Sequence, residues 1–203
     1  MEAQRGFDRL VNLSDAVVAI AATLLILPLV DIAGEIDKRD FSAFIGEHWQ
    51  ELFAFALSFA VICRFWLVHH SLFIKLVGFS RPLLFANFLW MGSIAFLPFP
   101  TELVAPSGVD NPFSSALYVA TMCIATGSTT AIEWIAIRNP ELQAPDVRGT
   151  LKLHSAMAST ITMFVVLAVV LVFPTIGLWS LLLLFPAGYI GDRLEKRGQP
   201  VNN

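Results

Sequence analysis

The sequence contains few charged residues and few cysteines. Of its 203 residues, only 14% are charged, whereas 56% are hydrophobic and 17 are phenylalanine. A water-soluble domain normally carries about a quarter charged residues, so this composition indicates a chain solvated by a membrane. The two cysteines, Cys63 and Cys123, both lie inside apolar runs. This excludes a disulfide framework and a CxxC metal pattern.

The sequence also lacks a surplus of positive charge. Its 13 Lys and Arg residues are outnumbered by 16 Asp and Glu residues, which gives a net charge of -3. A protein that binds nucleic acid needs a basic surface to neutralise phosphates. The charge balance therefore excludes nucleic-acid binding.

Residue patterns for catalysis or metal binding are missing as well. Ser14 and Asp15 are adjacent and have no G-x-S-x-G context, so they cannot serve as nucleophile and base on one substrate. His69 and His70 are adjacent too, and on a helix their side chains project about 100° apart. They do not form the i, i+4 pair that chelates one ion. The sequence predicts no enzyme, no cofactor and no metal site.

Long apolar runs dominate what is present. A membrane span needs roughly 20 mostly apolar residues, and six stretches reach or approach that length. We therefore predict an all-α membrane protein, with a single six-span domain over residues 1–203. The predicted spans are about Val11–Val30, Trp49–Ile74, Leu83–Val104, Phe113–Ile137, His154–Phe173 and Ile176–Ile190.

Lysine and arginine in the loops predict the orientation, because loops rich in these residues stay in the cytoplasm. Only Lys38 and Arg39 lie on one side of the predicted spans. Ten basic residues lie on the side that holds both termini: Arg5, Arg9, Lys75, Arg81, Arg138, Arg148, Lys152, Arg193, Lys196 and Arg197. Both termini are therefore predicted to be cytoplasmic, and the loop over residues 31–48 is predicted to be external.

The first predicted span has two chemically different sides. At about 100° per residue, one stripe lies within about 40° of Ile20 and consists of Ala16, Ile20, Leu24, Leu27 and Asp31. Thr23 borders this stripe, whereas Asp15 points about 140° away from Ile20 and needs a polar partner on a neighbouring helix. The stripe could line a path for a solute. In a helix surrounded only by lipid, the pattern would have no particular meaning.

Several segments resemble one family of membrane proteins. Arg9–Asp15, with the sequence RLVNLSD, and the apolar helix that follows resemble the R-x-x-x-F-S-D signature of the transmembrane protein 175 family of potassium channels, in its single-repeat bacterial form. The resemblance extends to Trp66–Phe73 in the second span, and to Asn87 and Leu97–Thr101 in the third. Leu13 departs from the family, which has phenylalanine there, but it keeps an apolar group.

The resemblance implies a channel function. The expected protein is a multi-pass homotetramer of the cell membrane that conducts potassium and other monovalent cations and needs no cofactor beyond the permeant ion. The first helices would line the pore, and Ile20, Leu24 and Leu27 would form its hydrophobic constriction. Thr23 would assist a modest selectivity for potassium over sodium, and Asp31 would lie at the outer mouth.

The resemblance also implies a cluster of polar residues that holds the first helix against the second and third. The expected members are Arg9, Ser14, Asp15, Trp66, His70 and Asn87. Trp66 and His70 are four residues apart and share a helix face, which favours His70 over His69 as the member from the second span.

Two other functions stay open. One is a small secondary transporter in which Asp15 or Glu133 forms an intramembrane proton relay with a histidine. The other is a scaffold or subunit that transports nothing. Transporters usually have helices broken at mid-membrane, whereas the prolines here mostly lie near the span ends, which favours a channel. These prolines are Pro28, Pro98, Pro174 and Pro186.

Overall fold

The computed structural model describes residues 2–34, 41–107, 112–151 and 153–172, and within them the regular elements are helices. The α-helices are α1 (Glu2–Leu24), α2 (Leu27–Ala33), α3 (Phe41–Glu47), α4 (Trp49–Phe73), α5 (Arg81–Phe96), α6 (Pro98–Ser107), α7 (Pro112–Arg138) and α8 (His154–Val172). A 3₁₀ helix, Pro140–Leu142, follows α7. The protein is therefore all-helical over the described residues.

Four helical stretches in the described part of the chain are long and apolar enough to cross a membrane. They are Arg5–Ala33, Trp49–Phe73, Arg81–Ala105 and Phe113–Arg138. The second to fourth stretches lie within two residues of the predicted spans, and the first overlaps its predicted span but begins six residues earlier. The helix α8, with 19 residues, occupies the fifth. The sixth predicted span, Ile176–Ile190, lies outside the described residues.

Proline interrupts two of these stretches. A proline has no N–H and its ring clashes with the carbonyl four residues earlier, so a helix cannot continue regularly through it. Pro28 therefore separates α1, which ends at Leu24, from α2, which begins at Leu27. Pro98 likewise separates α5 from α6 within the third stretch. The helices α1 and α5 both begin at the end of the bundle where α4 ends, so they run in the same direction. The two interruptions, which come late in each helix, therefore lie toward the opposite end of the bundle.

The start of α5 is determined locally. The Ser80 side chain accepts a hydrogen bond from the backbone N–H of Leu83 at 3.4 Å, which satisfies one of the free donors of the first turn. Pro82 follows within that turn, where its fixed φ suits a helix and its missing N–H costs nothing.

The buried residues form two apolar clusters with a polar layer between them. The larger cluster includes Val18, Phe65 and Trp90, and the smaller one includes Leu10, Leu72 and Ala86. On each of α1, α4 and α5, one buried polar residue lies along the helix between a residue of the larger cluster and a residue of the smaller cluster. These polar residues are Ser14, His69 and Asn87.

One end of the bundle, the basic end, brings four chain segments together. The rings of Phe7 on α1 and Phe73 on α4 stack with centroids 5.9 Å apart. The backbone N–H of Val77 donates to the carbonyl of Leu142 at 2.9 Å, which joins the segment before α5 to the segment after α7. The basic residues of these segments are Arg5, Arg9, Lys75, Arg81, Arg138 and Arg148.

Gln143 completes the connection at the basic end. Its side chain is 1% exposed, and its Nε2 donates to the carbonyl of Ala136 at 2.7 Å. Its Oε1 accepts from the backbone N–H of Gly149 at 2.8 Å. Gly149 has a φ of 80°, a left-handed conformation that glycine adopts without steric cost. One buried amide therefore fixes the end of α7 to the loop that follows it.

Candidate functional site

The predicted stripe of the first span lies on the exposed face of α1 and α2. The exposed fractions of Ile20, Leu24 and Leu27 are 59%, 42% and 53%. The neighbouring residues Ala21 and Leu25 are only 1% and 4% exposed, because they belong to the face that packs against the bundle. The three stripe residues thus share an apolar surface that no other described part of the chain covers.

The polar residues of the stripe are also exposed. Thr23 is exposed, and its Oγ1 donates to the carbonyl of Ile20 at 2.8 Å. The hydroxyl oxygen keeps a lone pair directed away from the helix backbone. Asp31 lies exposed on α2, beyond the interruption at Pro28.

About two turns before Ile20, on the buried side of α1, a continuous chain of hydrogen bonds joins α4, α5 and α1. His69 Nε2 lies 2.8 Å from Asn87 Oδ1, and Asn87 Nδ2 donates to Ser14 Oγ at 2.9 Å. Ser14 Oγ in turn donates to the carbonyl of Leu10 at 3.0 Å. Because the amide oxygen of Asn87 only accepts, His69 must carry a proton on Nε2. Every bond in the chain then points the same way, from α4 to α1.

A second contact anchors α1 to α4. Trp66 Nε1 donates to Asp15 Oδ1 at 2.9 Å, and the tryptophan ring stacks on His70 with centroids 5.2 Å apart. A hydrogen bond to a carboxylate is stronger than one between neutral groups. Asp15 therefore has a polar partner on α4, as its position within a membrane span requires.

The structure corrects the choice between the two histidines. His69, and not His70, forms the hydrogen bond with Asn87, whereas His70 is exposed and contacts the cluster through its ring stack on Trp66. Asp15 meets α4 at Trp66 and Asn87 meets it at His69, and these two α4 residues project about 60° apart. The face shared by Trp66 and His70 therefore contacts Asp15 and not Asn87. The signal for His69 was its place in the buried stripe of α4, three to four residues from Phe65 and Leu72.

Aromatic rings hold His69 in position. Its imidazole lies between the rings of Phe73 and Trp90, with centroid distances of 4.0 and 3.8 Å. His69, Asn87 and Ser14 are all buried. The network is consequently separated from solvent.

Arg9 does not join this network. It is exposed, and no hydrogen bond or ion pair links it to Ser14 or Asp15 in the described residues. The reason is helical geometry, because Arg9 projects about 120° away from Asp15 and only about 20° away from Ile20. Its side chain lies beside an open groove that is also lined by Phe79 and Leu84.

A second buried polar contact was not identified from the sequence. Ser58 Oγ lies 3.1 Å from the hydroxyl of Tyr118 and accepts from Thr101 Oγ1 at 2.9 Å. This contact joins α4, α6 and α7. It lies beyond the interruption at Pro98, at the end of the bundle opposite the basic end. Its signal in the sequence was weak, because single hydroxyl residues are common in membrane helices.

Comparison with known proteins gives consistent matches. The family model described as "Endosomal/lysosomal potassium channel TMEM175" matches residues 9–98, which contain α1 from Arg9 onward, α4, α5 and every member of the hydrogen-bond network. A potassium channel of Streptomyces collinus is 32% identical over 149 residues, which cover 68% of this chain and 70% of that protein.

Two further relatives match shorter stretches. A potassium channel of Chamaesiphon minutus is 33% identical over 103 residues, which cover 50% of this chain and 51% of that protein. The endosomal/lysosomal proton channel TMEM175 of Bos taurus is 33% identical over 98 residues, which cover 45% of this chain but 20% of that protein. The matched region thus spans about half of the first of these proteins and a fifth of the second. Together with the apolar helices, these matches show that the chain is a multi-pass membrane protein of the TMEM175 family, which is a channel family and not an enzyme class.

Proposed function

We propose that this chain forms a passive channel that conducts potassium along a path lined by the first helices of four copies. The observation that carries the proposal is the two-sided character of α1. One side is held in the bundle by Ser14 and Asp15, while Ile20, Leu24 and Leu27 stay exposed on the other. The relatives named as potassium channels support the permeant ion.

The three exposed aliphatic residues would act as a hydrophobic constriction. Fourfold symmetry would stack them as three rings over about 10 Å, at 1.5 Å of rise per residue. A narrow apolar ring loses its water, so a hydrated cation passes only when the ring widens. Aliphatic rings provide no oxygen to replace the hydration shell, so selectivity for potassium over sodium would be modest, with Thr23 as the adjacent hydroxyl.

The hydrogen-bond network would set the position of α1 without touching the ion. Ser14 and Asp15 bond to α5 and α4, on the sides of α1 away from the apolar stripe. Any rotation of α1 that changes the width of the constriction must therefore strain or break these bonds. The network thus couples the shape of the path to the packing of three helices.

The basic end would face the cytoplasm. The stacked rings of Phe7 and Phe73 and the bond from Val77 to Leu142 bring the predicted cytoplasmic segments together. Membrane proteins retain loops rich in Lys and Arg on the cytoplasmic side. This supports cytoplasmic termini and an external segment after α2, in the cell membrane.

The secondary transporter finds less support in the contacts. A proton relay needs a titratable acid and a histidine in hydrogen-bond contact, or joined through water. Asp15 instead bonds to Trp66, and His69 bonds to Asn87. Over the described residues, the arrangement resembles a structural support more than a relay.

Ion flux through the purified protein tests the proposed function. The protein is reconstituted in liposomes that carry potassium and sodium gradients of opposite sign. A channel lets each ion move down its own gradient without a proton gradient, and the solubilised particle should have the mass of four chains. Flux that depends on a proton gradient would favour the transporter, and the absence of flux would favour a scaffold. Either result would contradict the proposal.

A further inference from the structure

The exposed stripe of α1 continues beyond its apolar part into charged residues at the basic end. Arg5 and Arg9 are both exposed, and α1 is one unbroken helix from Glu2 to Leu24. At about 100° per residue, Arg9 projects about 20° from the direction of Ile20, and Arg5 about 60°. Both arginines therefore leave the helix on the side of α1 that carries the proposed constriction, and the Arg9 side chain lines the groove with Phe79 and Leu84.

The opposite end of the stripe carries the opposite charge. Asp31 is exposed on α2, one turn after Leu27. From Arg9 to Asp31 the chain advances by 22 positions across α1, the two-residue turn and α2, and a regular helix of that many residues is about 33 Å long at 1.5 Å per residue. That length is close to the thickness of the hydrocarbon core, so the two charges would lie at opposite mouths of a path.

Two acids of α1 have side chains that the structure describes, Asp8 and Asp15, and neither forms an ion pair with Arg5 or Arg9. Asp8 is exposed but projects about 100° away from Arg9, and Asp15 is bonded to Trp66. The other segments of the basic end add Lys75 and Arg81 close to the start of α5. Glu141 and Asp146 are exposed in the segment after α7.

We infer that the conduction path is electrically asymmetric, with a ring of guanidinium groups from Arg9, flanked by Arg5, at one mouth and a ring of Asp31 carboxylates at the other. This inference rests on the proposed function, because it needs α1 to line the path. Fixed charges at a narrow mouth change the local concentration of permeant ions, here enriching cations near Asp31 and depleting them near Arg9. Cation current is therefore larger when cations enter at the Asp31 mouth, and the channel rectifies.

Single-channel recording in symmetric KCl measures this asymmetry. At about 0.1 M salt the Debye length is about 10 Å, so the charged rings act across the mouths, whereas at about 1 M it falls to about 3 Å. We expect the current to differ by about twofold or more between the two voltage signs at low salt, and to become nearly symmetric at high salt. Orientation is assigned with a charged thiol reagent added to one chamber of an Ala33→Cys variant that lacks Cys63 and Cys123.

Variants separate this inference from the proposed function. Arg9→Gln should bring the rectification ratio at low salt about halfway to 1, and Asp31→Asn should lower it independently if the arginine variant assembles poorly. Arg148→Gln, an exposed charge after α7, should leave the ratio unchanged. Conducting channels whose rectification is unaffected by both Arg9→Gln and Asp31→Asn would overturn the inference while leaving the channel function intact. No current from any variant or from the native protein would contradict the proposed function itself.

Discussion

Asn87 uses both ends of its side-chain amide, which makes it the central residue of the buried network. It accepts from His69 and donates to Ser14, so three helices meet at one side chain. A buried polar group that loses its partner keeps the cost of desolvation without the compensating bond. Removing one member of the network should therefore destabilise the fold mainly because its hydrogen-bond partner stays buried and unsatisfied, and less because the removed side chain was itself buried.

A double-mutant cycle between Ser14 and Asn87 tests this coupling. Ser14→Ala and Asn87→Ala should each destabilise the folded protein by about 1–3 kcal/mol, because each leaves a buried partner unsatisfied. The double variant should be less destabilised than the sum, by about 0.6–2 kcal/mol. The measurement is reversible unfolding in detergent, with the exposed Thr23→Ala as control. Strict additivity would show that the bond is not formed in solution.

Leu24 and Leu25 form a matched pair of adjacent leucines that face opposite environments. Leu24 is exposed on the stripe, whereas Leu25 is buried in the bundle. Leu24→Asn should wet the constriction and raise potassium flux severalfold in liposomes at equal protein content. Leu25→Asn should mainly lower the yield of folded protein, by burying an unpaired amide at a cost of roughly 2–5 kcal/mol. Equal effects at the two positions would contradict the proposed role of the stripe.

At the scale of the helices, the sequence predicted which segments are helical and their approximate lengths better than it predicted where a helix is interrupted. The apolar runs gave α4 within a residue at each end, because a lipid-solvated helix has a clear apolar signature. The start of α1 was missed by several residues, since its first turns contain Arg5 and Asp8 and resemble a loop. The breaks at Pro28 and Pro98 were visible as prolines near span ends, but the sequence did not show that helix resumes after each.

The contacts between helices were harder to predict than the helices. Helical periodicity gave the exposed stripe of α1, yet Arg9 was placed in the polar cluster because the family resemblance suggested it. The choice of His70 failed because periodicity states which residues share a face, but not which neighbour that face meets. The contact from Ser58 to Tyr118 joins residues that are 60 positions apart, and no local pattern connects them.

Gln143 is expected to hold the segments of the basic end together. Gln143→Ala removes two hydrogen bonds and leaves the Ala136 carbonyl with only the 3.3 Å bond from the N–H of Asn139. At about 0.5–1.5 kcal/mol for each lost bond, this should cost about 1–3 kcal/mol. Amide hydrogen exchange of the residues around Val77 and Leu142 should become faster, while exchange in the middle of α4 should not change. Glu141→Ala, at an exposed position in the same segment, serves as the control. Unchanged exchange in the Gln143 variant would show that the backbone bonds suffice.

At the scale of the whole molecule, orientation in the membrane is the property that the charge distribution predicts most directly. A cysteine at Gly34 has open space around its Cβ and should react with an impermeant thiol reagent added to intact cells. Arg148→Cys, at the basic end, should react only after the cells are opened. Both variants are made without Cys63 and Cys123. The reverse pattern of labelling would overturn the proposed cytoplasmic location of the termini.

The expected assembly of four chains is inferred mainly from the family relationship, and less from the sequence or from the structure of one chain. The exposed stripe of α1 shows an apolar surface that is available, and the family relationship supports a pore as its use. Neither the periodicity of the stripe nor the packing of one chain determines how many copies meet. The oligomer depends on contacts between chains, which no pattern within one helix specifies.

Current block at single cysteines tests the central claim, that the exposed stripe of α1 lines the ion path. Leu24→Cys and Leu25→Cys are compared in a protein in which Cys63 and Cys123 are replaced by serine, and the extent of modification is measured by mass. A bulky charged thiol reagent should abolish most of the potassium current through the Leu24→Cys channel and leave the Leu25→Cys current nearly unchanged. Full modification at Leu24→Cys without loss of current, or equal loss at both positions, would contradict the account.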